Sequence, residues 1–116
     1  RIMGAKQVPV QPYLIESKMH DLLQEYANNK LNIVEKIADL HIAFESIHPF
    51  IDGNGRTGRL IVNLELMKAG YPPIDIKFTD RMRYYDAFDR RSDMIKLFSE
   101  YLNKRLDQYL EVLDKN

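Results

Sequence analysis

From Ile15 to Leu113 the apolar residues return every three or four positions, which is the period of helices packed by one face. Two breaks punctuate it: Pro49 followed by Asp52-Gly53-Asn54-Gly55, and Gly70-Tyr71-Pro72-Pro73. A chain with this pattern has little choice but a helical bundle. Pro12 suits a first helical position, and Ile15, Met19, Leu22, Leu23 and Tyr26 predict a helix ending near Asn28-Asn29. Asn32 followed by Glu35 has the form of a capping box and opens a second helix through Val34, Ile37, Ala38, His41, Phe44 and Ile47. A third starts at the glycine loop, its stripe of Leu60, Ile61, Leu64 and Met67 beginning just after the glycines, and stops at Gly70. Thr79 or Asp80 is the expected cap of a fourth helix carrying Met82, Tyr85 and Phe88. Asp93 is the expected cap of a last, longer one running through Leu97, Phe98, Tyr101, Leu102, Leu106, Tyr109 and Leu113. The expected fold class is therefore all-α, about five helices, with Arg1-Ile2-Met3-Gly4-Ala5 as the last strand of a short N-terminal hairpin.

The 116 residues suffice for one hydrophobic core, so residues 1–116 are read as a single domain. Seventeen basic residues balance seventeen acidic ones, which leaves no net field to hold the protein on nucleic acid or an anionic membrane. No cysteine is present, so disulfides, thiolate nucleophiles and thiolate zinc sites are excluded. No apolar run approaches the ~20 residues that span a bilayer, and no signal segment precedes the first helix. A cytoplasmic protein without nucleic-acid or membrane partners is expected. The first residue is Arg1 rather than Met, and the chain is read as a fragment of a longer one.

The break after the second helix is where chemistry concentrates. Gly53 and Gly55 permit backbone conformations in which successive N–H groups converge, and the helix that follows adds unpaired N–H donors and the positive end of its dipole. Such a cradle suits phosphate. Arg56 and Arg59 stand three apart in the first turn, so both guanidiniums can reach one side of it, and two fixed cations call for a di- or triphosphate. Asp52 is the only carboxylate in the stretch and the natural oxygen ligand for a magnesium ion bridging phosphates. His48, before Pro49 at the helix-to-loop junction, is placed to act as general base towards an incoming hydroxyl. Each residue has a plainer reading: a structural histidine, an ordinary turn, two solvated arginines. It is their coincidence within twelve residues that points to a nucleotide site.

His48-Pro49-Phe50-Ile51-Asp52-Gly53-Asn54-Gly55-Arg56-Thr57-Gly58-Arg59 resembles the signature of the Fic family position by position, and the resemblance extends over nearly the whole chain. It implies the Fic fold and transfer of AMP from ATP, with Mg2+, to a Ser, Thr or Tyr hydroxyl of a target protein. His48 would be the base and Asp52 the metal ligand. Gly53, Asn54 and Gly55 would form the anion hole, with Arg56, Thr57, Gly58 and Arg59 completing the nucleotide site, and Phe50 would hold the loop to the core. By the same resemblance Arg1, Ile2, Met3 and Gly4 look like the end of a flap hairpin that pairs with the target, and Tyr84 and Tyr85 like the tyrosines bordering the base. Two adjacent aromatics on a helix are also ordinary core residues.

Fic proteins are commonly restrained by a helix with a Ser/Thr-x-x-x-Glu-Gly/Asn pattern whose carboxylate pairs with the second motif arginine, here Arg59. No Ser or Thr of this chain opens that pattern, so an inhibitory segment is expected upstream of Arg1, or else on a separate protein. The resemblance is also consistent with a homodimer. The competing activities are a Doc-like kinase transferring the γ-phosphoryl, removal of AMP from a modified protein, and a nucleotide-binding module with little turnover. Retention of Gly55 and Arg59, which Doc-like loops replace or lose, favours AMP transfer.

Overall fold

The computed structural model describes residues 10–115, and the expected hairpin remnant at Arg1–Gly4 lies outside them. Five α-helices form in order: α1 Ile15–Asn28, α2 Ile33–Ile47, α3 Asn54–Lys68, α4 Arg81–Ala87 and α5 Arg91–Lys115. Short 3-10 turns at Pro12–Leu14 and Phe78–Asp80 lead into α1 and α4. Among the described residues there is no strand, and no helix is long and apolar enough to cross a membrane.

Helix α2 is the hub, packing against α1, α3 and α5, while α4 leans on α5. Its position follows from composition: Ile37, Ala38, Leu40, Phe44 and Ile47 turn apolar surface to more than one side, so neighbours can bury it on three. Its start is the predicted one. The Asn32 side chain accepts from the Glu35 N–H at 3.0 Å, while its amide donates back to the Glu35 carboxylate. The larger core joins Ile37, Val62, Leu66, Tyr84, Phe88, Met94, Leu97, Phe98 and Leu102, and a smaller one gathers Leu22, Leu40, Phe44 and Ile47 under α1.

Helix α3 starts at the glycine loop as expected, at Asn54, with Gly53 as a left-handed N-cap at φ 80°. Its packing departs from expectation: it buries Gly58, Val62 and Leu66 rather than the expected stripe, Leu60, Leu64 and Met67 are each about half exposed, and only Ile61 packs, against the smaller core. Apolar residues lie on several faces of this helix, so spacing alone could not choose the buried one, and the small Gly58 lets α2 come close on the side that does pack. The stop behaves as predicted. Gly70 takes φ 91°, Tyr71 N–H reaches Leu66 C=O at 2.9 Å and Gly70 N–H reaches Met67 C=O at 3.0 Å, a Schellman motif.

The predicted caps of the last two helices are met only in part. Asp80 stands at the N-cap position of α4, but its carboxylate accepts from the Tyr101 hydroxyl rather than from the helix, and α5 begins at Arg91, which places Asp93 in its first turn. Arg91 there binds Asp39 of α2, Nε to Oδ1 at 2.6 Å, and also approaches Glu35; Arg83 makes a paired contact with Glu100. Both pairs lie on the surface and fix orientation more than they add stability. Asn63 pins the segment after α3, donating to Ile74 C=O and accepting from Ile74 N–H, each at 2.9 Å.

Candidate functional site

Six residues, 48 to 53, join the hub helix to α3, and a left-handed residue stands at each end. His48 sits at φ 53°, ψ 59°, its N–H still bonded to Phe44 C=O at 3.0 Å, and Gly53 sits at φ 80°. Pro49 excludes the right-handed helical conformation at His48, so α2 must end there. Left-handed backbone costs a non-glycine residue about 1–2 kcal/mol, and such strain concentrates where a side chain must be aimed.

The loop is closed from within by Asn54. Its amide oxygen accepts from Phe50 N–H at 2.9 Å and its amide nitrogen donates to Phe50 C=O at 2.7 Å, with the side chain buried. The Asn54 side chain is therefore committed to the loop, which leaves only its backbone N–H free to face an anion. Phe50 is a weaker anchor than expected. Its ring lies 6.5 Å from that of Phe44 but remains 49% exposed, so the main-chain clamp ties the loop more firmly than the ring does.

Past the clamp, α3 presents its N-terminus. Thr57 N–H bonds to Gly53 C=O at 3.0 Å, no side chain caps the helix, and the N–H groups of Asn54, Gly55 and Arg56 have no intrahelical acceptor. Both arginines fold back over the glycines. A Cβ on Gly53 would stand 2.9 Å from the Arg56 guanidinium and one on Gly55 3.1 Å from that of Arg59, so the missing side chains make the room these cations occupy. Asp52 is exposed, with one carboxylate oxygen accepting from Gly53 N–H at 2.7 Å. Asp52, Gly53, Gly55, Arg56 and Arg59 thus meet at one end of α3, while His48 stands at the opposite end of the loop. Gly58 does not join them: it faces α2, where a Cβ would lie 3.1 Å from His41 and 3.3 Å from Phe44.

Tyr84 is 4% exposed and belongs to the core, while Tyr85 packs at its edge. The Tyr84 hydroxyl lies 2.6 Å from His41 Nε2, and its ring is 6.0 Å from the Arg59 guanidinium carbon. Burial pushes the Tyr84 hydroxyl up to about 12 against the opposing pull of Arg59, and burial, then Arg59, pushes His41 down to about 3. His41 entered the sequence reading only as one member of a helical stripe, and nothing in the spacing marked it as the polar centre of the core. An unfolded chain takes up the proton at this residue near 6.5 and the folded one only near 3, so stability is full above 6.5 and falls as pH drops through that window. The slope from this one group is at most about 1.4 kcal/mol per pH unit. Urea midpoints measured between pH 7 and 4 should show it, and a His41→Gln variant should lose that share of the dependence.

The model of the Fic/DOC family matches residues 2–66, more than half of the chain and all of the loop. The chain belongs to the Fic/DOC family. Among its Fic relatives, the protein adenylyltransferase Fic of Nematostella vectensis is 34% identical over 118 residues, covering 95% of this chain and 28% of that protein. The protein of the same name from Drosophila grimshawi is 36% identical over 102 residues, 84% of this chain and 21% of that one. The chain thus spans about a quarter of the length of the curated Fic relatives it matches. Two solved structures share the fold. Fic-1 of C. elegans superposes with a TM-score of 0.78 at 26% identity, covering 90% of this chain and 34% of that one. A Fic domain containing signaling protein of Bacteroides thetaiotaomicron superposes with 0.79 at 29%, covering 87% and 46%.

Proposed function

We propose that this Fic domain transfers AMP from ATP to a hydroxyl of a target protein. One arrangement carries the reading: an uncapped α3 N-terminus with both motif guanidiniums folded over Gly53 and Gly55, and His48 at the other end of the same six-residue loop. The open N–H groups and the helix dipole favour the inner phosphates, and the two cations favour the outer ones. His48 takes the proton of the incoming Ser, Thr or Tyr hydroxyl as its oxygen bonds to the α-phosphorus. The bond from that phosphorus to the bridging oxygen breaks, and pyrophosphate leaves towards Arg56 and Arg59. The relatives named protein adenylyltransferase support the same reaction class.

Asp52 fits a magnesium ion of the kind bound mainly by phosphates and water. It offers one exposed carboxylate beside the nest, and no group of three acidic or histidine side chains that would build an all-protein cage occurs among the described residues. Bound there, magnesium would neutralise charge on the phosphates. Arg1 to Gly4 as a target-pairing flap, Tyr85 beside the base, an inhibitory segment answering to Arg59, a homodimer and a cytoplasmic setting belong to this proposal as well, carried by the family resemblance.

The test supplies ATP labelled at the α- or the γ-phosphorus to the protein with a mixture of candidate target proteins. Entry of the α-label alone is expected. Entry of the γ-label alone would establish a kinase, release of label from an AMP-modified protein would establish removal, and binding of ATP without either would leave a nucleotide-binding module.

A further inference from the structure

Arg59 is the motif residue whose position matters most for a triphosphate and is least fixed by its own element. Its long side chain leaves α3 near the helix start and is exposed at the surface. Its guanidinium nonetheless stands over Gly55, a placement its own helix does not by itself dictate. The neighbour on its inner side is Tyr84. The Arg59 guanidinium carbon lies 6.0 Å from the centre of the Tyr84 ring, and the two residues share the wall of a cavity of about 70 Å³ with His41, Val62, Asn63 and Ile74.

We propose that Tyr84 and His41 are positioning residues for Arg59: the Tyr84 oxygen accepts from the guanidinium while its own proton is donated to Nε2 of a neutral His41. The proton order follows from charge. A hydroxyl facing a fixed cation is best satisfied with its proton turned away, and the only ring nitrogen within reach is Nε2, at 2.6 Å. His41 then carries its hydrogen on Nδ1, which is buried against α3 without a partner. A buried polar group without a partner is costly, so its presence in the centre of the bundle asks for a compensating use at Nε2. Rigidity completes the case. His41 is 1% exposed, sits 5.0 Å from Phe88 and 5.7 Å from Phe98 between ring centroids, and has Gly58 closed against its other edge. A fixed imidazole fixes the tyrosine, and the tyrosine fixes the arginine.

The inference rests on the reading that the nest holds a nucleoside triphosphate, and it makes a narrower claim: the relay serves the outer phosphates and not the nucleoside. Affinities for ATP and for AMP should therefore separate. Tyr84→Phe, which keeps the ring, should weaken ATP binding about tenfold and leave AMP binding within twofold. His41→Leu should do the same, whereas His41→Gln, whose amide oxygen can accept where Nε2 did, should restore most of the ATP affinity. Melting temperatures of the three variants identify any that is unfolded, and 15N chemical shifts of His41 in the unaltered protein report the tautomer independently of any ligand. Loss of ATP and AMP affinity together would assign Tyr84 to the nucleoside end and overturn the proposal. So would ATP binding unchanged in Tyr84→Phe, or a His41 protonated at Nε2. A protein that binds ATP nowhere near the nest, or not at all, would remove the nucleotide reading itself and the proposal with it.

Discussion

Replacing His48 with alanine is expected to lower AMP transfer by about two to four orders of magnitude, the usual contribution of a positioned general base, while leaving the fold and ATP affinity nearly unchanged. The separation arises from what His48 does and does not touch. Its backbone N–H closes α2 on Phe44 C=O, a bond that any residue but proline can make, and its side chain is not part of either core cluster. The groups proposed to face phosphate lie at the other end of the loop and in α3, from Gly53 to Arg59. Alanine in the left-handed conformation is somewhat less comfortable than histidine, so His48→Asn is the better-matched second variant: asparagine tolerates that backbone and cannot serve as a base at neutral pH. Both should bind ATP within about twofold of the unaltered protein and fail to modify protein with α-labelled ATP. Transfer persisting within tenfold in both would mean that water or another group accepts the proton.

The elements that sequence placed well are those decided by local chemistry. The Asn32 cap, the Gly70 stop and the end of α2 before Pro49 each depend on residues within one turn of the boundary, and each formed as predicted. The misplaced features were settled by distant partners. The Asp80 carboxylate was drawn from its expected capping bond by Tyr101, which lies on α5, and the buried face of α3 was set by the close approach of α2 at Gly58 rather than by the helix's own apolar residues. The site divides along the same line. The nest and its two arginines are contiguous in the chain and were legible there. The Asn54 clamp was not legible, because an asparagine between two glycines reads as part of the turn and only the fold turns its side chain onto Phe50. His41 with Tyr84 joins residues 43 positions apart, and no period or motif in one sequence links them.

Asn54→Ala is expected to damage both stability and activity, in contrast to the changes at His48. The substitution removes two hydrogen bonds to Phe50 and leaves that residue's N–H and C=O without their partners in a partly buried loop. Two bonds of this kind, with water able to satisfy the freed groups only in part, come to about 2–3 kcal/mol. For a domain of this size that is a fall on the order of 10 °C in the melting midpoint. Alanine is a better helix former than asparagine at the start of α3, which returns a few tenths of a kcal/mol and does not change the sign. Activity should fall further than stability accounts for, even at temperatures where the variant is folded. The clamp sets the path of residues 50–54, and so the distance between His48 on one side and the N–H groups of Gly55 and Arg56 on the other, and a misplacement near 1 Å can cost about a hundredfold in rate. Asn54→Asp sharpens the test. A carboxylate can still accept from Phe50 N–H but faces Phe50 C=O with nothing to donate, and it sets a negative charge beside the phosphate nest. The aspartate variant should therefore keep more of the loop than alanine does while binding ATP more weakly, and equal ATP affinity in the two would show that the clamp acts through loop geometry alone.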